Sequence, residues 1–182
     1  MKLYSTPLSD LMVIEPLLHS DSRGYFCETY QSKQFLMNYL DYFFVQDNEA
    51  FSQRGVVRGL HFQKGKMAQA KLVRVAIGEV LDVVVDLRKG SPTFGEHFSI
   101  LLSAENKKQL LIPRGFAHGY SVLSQEALFL YKCDNYYSKT DECGIHPMDK
   151  SLSIDWKLDL DEIKISDKDL LWPSFNPNQT WQ

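Results

Sequence analysis

The chain has few cysteines, no long apolar run and no excess of basic charge. Its three cysteines form no C-x-x-C pair, so a disulfide framework is not indicated. The longest apolar runs, such as 83–85 and 110–112, fall far short of the roughly 20 residues that a membrane-spanning helix needs. A formal net charge of −3 gives no reason to expect a nucleic-acid partner, because phosphate backbones recruit clustered Lys and Arg. The N-terminus also lacks a continuous apolar segment for export, and we therefore expect a reduced, cytoplasmic protein with no membrane partner.

The composition is that of a folded domain. The 182 residues are 44% hydrophobic and 24% charged, which rules out disorder as a description of the whole chain. This length fits one domain of ordinary size, and the sequence shows no repeat, low-complexity tract or linker. We therefore predict a single domain spanning 1–182.

Short runs rich in Val, Ile, Phe and Tyr, each closed by Gly, Pro, Asn or Asp, predict strands rather than helices. The predicted strands are 13–15, 25–30, 43–49, 56–62, 69–77, 79–88, 96–102, 109–112, 120–123 and 127–136. An apolar stripe predicts one helix after Ser32, a second short helix can begin at Ser166, and the tail 173–182 is predicted to be irregular. Many short strands in one domain predict an all-β sandwich or barrel, with a double-sheet jelly roll among the options.

Polar residues inside these apolar strands are the candidates for chemistry, because burying an unpaired charge costs free energy. On an ideal strand His61 and Arg58 point to opposite faces, but a bulge at Gly59 would bring both into one cavity. Lys71 shares its face with Val73 and Val75, where a lysine is unusual. The alternatives are a core histidine bonded to backbone and a lysine that reaches water from the strand end.

The sequence resembles the dTDP-4-dehydrorhamnose 3,5-epimerases over nearly its whole length and in order. The motifs that carry the resemblance are RGLHFQ (58–63), AKLVR (70–74), GEV (78–80), Asp82, VD (85–86), SPTFG (91–95), IP (112–113), GFAHG (115–119), YK (131–132), NYYS (135–138), Ser166 and KD (168–169). Several of these motifs are long, so the joint match is specific.

This resemblance implies a cupin-type jelly roll, a homodimer, no metal and no cofactor. It implies that the enzyme inverts C3 and C5 of dTDP-4-dehydro-6-deoxy-D-glucose. The base falls on His61, its carboxylate partner on Asp169, the proton donor on Tyr131 and the enolate-stabilising cation on Lys71. The implied substrate contacts are Arg23, Glu28, Gln46, Asp47, Asn48, Arg58, His118, Glu142 and Lys168, with Tyr137 stacking on the thymine.

These assignments agree with the chemistry of a carbon acid. A hydrogen beside a ketone becomes acidic only when the enolate oxygen is stabilised, which a lysine can do, and a carboxylate can orient the histidine base. A tyrosine, protonated at neutral pH, can return a proton to the opposite face. Two alternatives concern single residues: Ser166-x-x-Asp169 also reads as a helix start whose side chains bind backbone donors, and Tyr131 also reads as a packed aromatic beside Phe129.

Three rival functions stay open at this point. The segment Pro113-x-Gly115-x-x-His118 also matches a metal-dependent cupin, although Gln63 stands where such sites usually have a second histidine. The same fold also suits a sugar-binding module without catalysis, since fold does not fix function. A 3-epimerase or a ketoisomerase acting on a related nucleotide sugar is the third rival.

Overall fold

A computed structural model describes residues 1–181, and strands dominate it. The strands are β1 (Lys2–Ser5), β2 (Met12–Glu15), β3 (Leu18–Asp21), β4 (Gly24–Cys27), β5 (Gln46–Gln53), β6 (Val56–Gln63), β7 (Lys71–Ile77), β8 (Glu79–Asp86), β9 (His97–Ser103), β10 (Gln109–Ile112), β11 (Phe116–Val122), β12 (Glu126–Cys133), β13 (Glu142–Gly144) and β14 (Lys164–Ile165). The helices are α1 (Ser32–Met37), a single 3-10 turn (Gly65–Met67) and α2 (Asp167–Leu170). None of the helices in this range has the length and apolar character needed to span a membrane.

The strands form two large sheets and one separate hairpin. The first sheet has the order β1-β2-β10-β7-β12-β5, and the second has the order β13-β6-β11-β8-β9 with β14 added beside β6. The pairings within both sheets are antiparallel, except for the parallel contact of β14 with β6. Within residues 1–181, strands β3 and β4 pair only with each other. The predicted all-β, cupin-type double-sheet jelly roll is thereby confirmed.

The main core lies between the two sheets. Val73, Val75 and Phe129 of the first sheet pack in one cluster with Val80 and Val84 of the second. The opposite face of β8, with Leu81, Val83 and Val85, is also buried, because the segment that contains Trp156 and Trp181 covers it. Burial on both faces explains why the β8 sequence is apolar at consecutive positions rather than only at alternate ones.

Most predicted elements are present, with shifted ends. The strand predicted at 120–123 begins earlier, at Phe116, and the one predicted at 43–49 is Gln46–Gln53. The sequence reasoning missed β1, β3, β13 and β14. The residues of β1 and β3 are mostly exposed and therefore lack an apolar signal, while β13 and β14 are only 3 and 2 residues long. Residues 173–181 contain no helix or strand, as predicted, and position 182 of that prediction lies outside the described residues. The division into a single domain stays a prediction.

Candidate active site

A cavity of ≈160 Å³ lies between the two sheets. Strands β5, β7 and β12 form one wall, while β6 and β11 form the other. The residues that line it are Ala50, Arg58, His61, Lys71, His118, Gly119, Tyr120, Phe129 and Tyr131. Five of the predicted site residues are thus brought together here, although they are far apart in the sequence.

A bulge at Gly59 places Arg58 and His61 in this one cavity. His61 is opposite His118 and Arg58 is opposite Tyr120, so two residues on β6 face one residue on β11. The φ angle of Gly59 is +125°, and a Cβ added there would lie 2.5 Å from the Cα of Gly119. A side chain at position 59 therefore has neither the backbone conformation nor the space it needs. The bulge predicted from the sequence is confirmed.

His61 and Asp169 form a hydrogen-bonded pair at the edge of the cavity. Nε2 of His61 lies 2.6 Å from Oδ1 of Asp169, and the side chains are 29% and 6% exposed, respectively. Asp169 also accepts hydrogen bonds from the Gly59 backbone N–H at 3.4 Å and from Nε1 of Trp172 at 3.3 Å. Burial acts to raise the pKa of Asp169, but the hydrogen bond with His61 and its charge outweigh burial, so the pKa is lowered.

Helix α2 brings Asp169 to His61. Ser166 precedes the helix, and its Oγ accepts a hydrogen bond from the Asp169 backbone N–H at 3.2 Å. The interpretation as a helix start is therefore correct for Ser166. For Asp169 it is only partly correct, because its carboxylate binds His61 and the backbone N–H of Gly59 on β6, not a donor of the helix itself. One short motif thus supplies both a helix cap, Ser166, and a carboxylate directed at the imidazole, Asp169.

Lys71 enters the cavity from the start of β7. Its cross-strand neighbours are Ile112 on β10 and Cys133 on β12. Within residues 1–181 its Nζ makes no hydrogen bond or ion pair, so the ammonium is available to a ligand. Burial lowers the pKa of Lys71, while the nearby Cys133, Asp82 and Glu142 act in the opposite direction.

Tyr131 lies on the same wall as Lys71. It pairs with Val73 on β7 and with Asn48 on β5. Its ring packs 6.2 Å from that of Phe129, as the sequence alternative of a packed aromatic supposed, but both rings also line the cavity. Burial raises the pKa of Tyr131, and the phenol therefore keeps its proton at neutral pH.

A second histidine–carboxylate pair lies deeper between the sheets. Nε2 of His118 is 2.9 Å from Oδ2 of Asp82, and both side chains are buried. Burial lowers the pKa of His118, and it raises the pKa of Asp82 against the opposing effects of His118 and Lys71. The sequence reasoning gave Asp82 no role. Its position on the same face of the strand as Val80 and Val84 was a usable signal.

The dTDP-4-dehydrorhamnose 3,5-epimerase family model matches residues 5–177. The chain belongs to this family. A curated 3,5-epimerase of Shigella flexneri is 49% identical over 173 residues, covering 93% of each chain. The crystal structure of the Elizabethkingia anophelis epimerase superposes with a TM-score of 0.92 at 53% identity, covering 96% of each chain. That of the Legionella pneumophila enzyme, in complex with dTDP-4-keto-L-rhamnose, gives 0.88 at 44% identity, covering 96% of this chain and 98% of that one.

Five of the residues implied by the family resemblance form a connected polar cluster beside the cavity. Glu142 Oε2 accepts from Tyr137 Oη at 2.9 Å and from Lys168 Nζ at 2.6 Å. Gln46 accepts from the Tyr137 backbone N–H at 3.3 Å and donates to Asn48 at 2.9 Å. The cluster adjoins the His61–Asp169 pair, because Lys168 precedes Asp169 and β13, which carries Glu142, pairs with β6.

Three implied contacts of this epimerase-family chain lie elsewhere. Arg23 is 88% exposed on the side chain and is paired with Asp21 at 2.6 Å, next to β4. Glu28 follows β4 and accepts from Gln31. Asp47 alternates with Gln46 and Asn48 on β5 and pairs with Lys132 at 2.6 Å, on a groove at the other face of the sheet. None of the three lines the cavity within the described residues.

Three further residues support the cavity and were missed by the sequence reasoning. Ser52 accepts a hydrogen bond from Nε of Arg58 at 3.0 Å and so orients its guanidinium. Tyr120 stacks on Phe129 with ring centroids 4.2 Å apart. Trp172 donates to Asp169. Tyr120 could have been found from its alternation with His118 had the strand been predicted to begin at 116, whereas nothing in the sequence singles out Trp172.

Residues 1–181 contain no group of three or more His, Cys, Asp or Glu side chains arranged to hold a metal ion. The side chain of Gln63, which occupies the usual ligand position of metal-dependent cupins, accepts from the Ser138 backbone N–H at 3.0 Å. His61 and His118 are each hydrogen-bonded to a carboxylate, Asp169 and Asp82 respectively.

Proposed function

We propose that this chain inverts C3 and C5 of dTDP-4-dehydro-6-deoxy-D-glucose to give dTDP-4-dehydro-L-rhamnose, with His61 as base, Lys71 as enolate-stabilising cation and Tyr131 as proton donor. The observation that carries the proposal is the His61–Asp169 pair on a cavity that also holds Lys71 and Tyr131. Family membership and the bound keto-rhamnose nucleotide of the Legionella relative support it. The cytoplasmic location stays a prediction.

The first half of the reaction is proton abstraction. When the Nε2–H of His61 donates a hydrogen bond to Asp169, the other ring nitrogen, Nδ1, carries no proton. Nδ1 can therefore accept the proton from C3 or C5. The C–H electron pair moves into the ring and the carbonyl pair moves to the C4 oxygen, which becomes an enolate oxygen. The Lys71 ammonium stabilises that charge, and Asp169 stabilises the imidazolium.

The second half returns a proton to the opposite face. The Tyr131 phenol gives its proton to the carbon while the enolate collapses to the ketone, and no atom is oxidised or reduced. Solvent then restores the proton of Tyr131 and removes that of His61. Because C3 and C5 flank the same carbonyl, one acid–base pair serves both carbons after the ring shifts.

The nucleotide part of the substrate uses the polar cluster and the arginine. Arg58 is a bidentate donor suited to the diphosphate, and the exposed ring of Tyr137 is suited to stacking on thymine. His118, Gln46, Asn48, Glu142 and Lys168 are the other proposed contacts near the cavity.

We also propose a homodimer in which Arg23, Glu28 and Asp47 complete a site with the neighbouring protomer. The β3–β4 hairpin has exposed aromatic residues, with Phe26 64% exposed, and in the part of the chain that the structure describes it pairs with neither large sheet. If Arg23 acts in the partner's site, mixing an Arg23→Ala variant with a His61→Ala variant, under conditions that exchange subunits, will restore activity. Mixtures in which heterodimers form but stay inactive would contradict exchange of the hairpin.

The reaction itself is tested by incubating the protein with the 4-keto sugar nucleotide in deuterated water and following C3 and C5 by NMR. We expect exchange at both carbons, and a loss of both by at least about a hundredfold in His61→Ala. The matched control is His97→Ala, which removes an exposed histidine on β9. Near-normal exchange in His61→Ala would retire the base assignment. Exchange at C3 only would identify a 3-epimerase, and activity that needs a stoichiometric metal would identify a metal-dependent cupin.

A further inference from the structure

Asp82 is a completely buried carboxylate that is only half satisfied. It lies on β8 between two core valines, with a side-chain exposure of 0%. Its Oδ2 is bonded to His118, but its Oδ1 has no hydrogen-bond partner within residues 1–181. A buried carboxylate oxygen without a donor is costly, so Asp82 can be ionised here only with a compensating positive charge nearby.

The cation that faces it is Lys71. Strands β7 and β8 belong to opposite sheets, and Val73 and Val75 of β7 pack in one cluster with Val80 and Val84, which flank Asp82. Lys71 continues the same face of β7, and His118, bonded to Asp82, lines the cavity with it. Both groups therefore project between the sheets toward the same space, one with an unpaired ammonium and the other with an unpaired oxygen.

The other charged or titratable groups around Lys71 do not replace Asp82. His118 on β11 is neutral, because burial lowers its pKa. Cys133 and Tyr131 on β12 have pKa values raised by burial and are neutral as well. Strand β10 presents Ile112, and burial raises the pKa of Tyr120 on β11, which is therefore neutral. Strand β6 presents the cation Arg58 and also His61, which is bonded to Asp169. Glu142 on β13 is negative, but it is already paired with Lys168.

We propose that Asp82 is a positioning residue, which keeps Lys71 in its ammonium form inside the cavity so that the enolate oxygen meets a positive charge. This inference rests on the proposed function. His118 fixes the Asp82 carboxylate by donating a hydrogen bond from Nε2. Because this imidazole is neutral, it does not cancel the negative charge of Asp82, which therefore acts on Lys71. Asp82 does not touch the reacting atoms and acts through the lysine.

The expected pH effect follows from the sign of the charges. Burial lowers the pKa of Lys71 and raises the pKa of Asp82, and the negative charge of Asp82 and the positive charge of Lys71 oppose these two shifts. Without that negative charge, Lys71 loses its proton at a lower pH, and the high-pH limb of the kcat profile moves toward neutrality. Activity in a variant without the charge should therefore recover as the pH is lowered.

The test is Asp82→Asn, which keeps an oxygen to accept from His118 but removes the charge. Without substrate, acetylation of Lys71 by acetic anhydride at pH 7, followed by mass spectrometry, should be faster by about tenfold or more, because a neutral amine is the nucleophile. The apparent pKa of the high-pH limb of the kcat profile should fall by about one pH unit or more. Asp82→Glu should restore both values, and Glu79→Gln, at the start of the same strand, should change neither.

An unchanged acetylation rate in a folded Asp82→Asn protein would overturn the proposal. If that variant fails to fold, the wild-type protein still tests it, because the ¹³Cγ chemical shift of labelled aspartate reports ionisation. The proposal requires Asp82 to be ionised at the pH where the enzyme is active, and a protonated Asp82 there would refute it. The acetylation and NMR experiments use no substrate. A negative result in them would therefore refute the role of Asp82 without bearing on the epimerase assignment.

Discussion

Replacing Asp169 with Asn should remove most of the activity while leaving the shape of the site almost unchanged. Asp169 accepts from His61, from the Gly59 N–H and from Trp172 Nε1. An asparagine has one acceptor oxygen, so its amide group must face at least one of these donors, or His61 must change tautomer. Either outcome weakens the orientation of the imidazole and leaves an imidazolium without its counter-charge.

The size of the loss can be worked from the geometry. A hydrogen bond to a charged group contributes about 1.5–3 kcal/mol. The attraction between carboxylate and imidazolium adds about 4 kcal/mol for unit charges 4 Å apart near a protein surface, before a reduction because His61 is 29% exposed. We expect the substitution to raise the activation free energy by about 3–5 kcal/mol, which corresponds to a rate loss on the order of 10²–10⁴-fold.

The assay is deuterium incorporation at C3 and C5 in single-turnover experiments, with Asp167→Asn as the matched control. Asp167 lies on the same helix, but it is exposed. A loss of less than about fivefold in Asp169→Asn would refute the base–carboxylate reasoning. Stability gives an independent check, because the folded pKa of Asp169 is below its ordinary value. Its stabilisation is present above the unfolded pKa and lost as the pH falls through the folded one, so wild type and variant should converge in acid.

Two further predictions concern the proton donor and the bulge. Tyr131→Phe should still admit deuterium while inversion falls, because abstraction by His61 is unaffected, and equal loss of both by NMR would indicate a structural role instead. Gly59→Ala should lower the free energy of unfolding by about 3 kcal/mol or more in urea titrations, since φ is +125° and the new Cβ would lie 2.5 Å from Gly119. Gly90→Ala, with φ of +86° but open space, should cost only about 1 kcal/mol, and similar losses in both variants would contradict the role of the close approach.

The sequence predicted the parts of this site that depend on local pattern. Apolar runs closed by turn residues predicted β6 and β8, and Gly59 predicted the bulge that unites Arg58 with His61. The resemblance supplied the pairing of His61 with Asp169, which are 108 positions apart. No local pattern contains that contact, because it depends on how the C-terminal helix packs against β6.

Residues that act through long-range neighbours were harder to predict. Asp82 and Asp86 share a face of β8, but the structure gives them different surroundings. Asp86 is satisfied by Arg88, Ser91 and Thr93 within its own loop, whereas Asp82 depends on side chains from β11 and the opposite sheet. Strand alternation alone cannot distinguish the two, because it says which way a side chain points and not what it meets.

The 108 positions between His61 and Asp169 have a consequence for the timing of activity. A ribosome synthesises β6 and the base long before it reaches the carboxylate on α2. The imidazole therefore lacks its partner until α2 has been synthesised and has packed against β6. A chain that stops before Asp169 should accordingly be inactive.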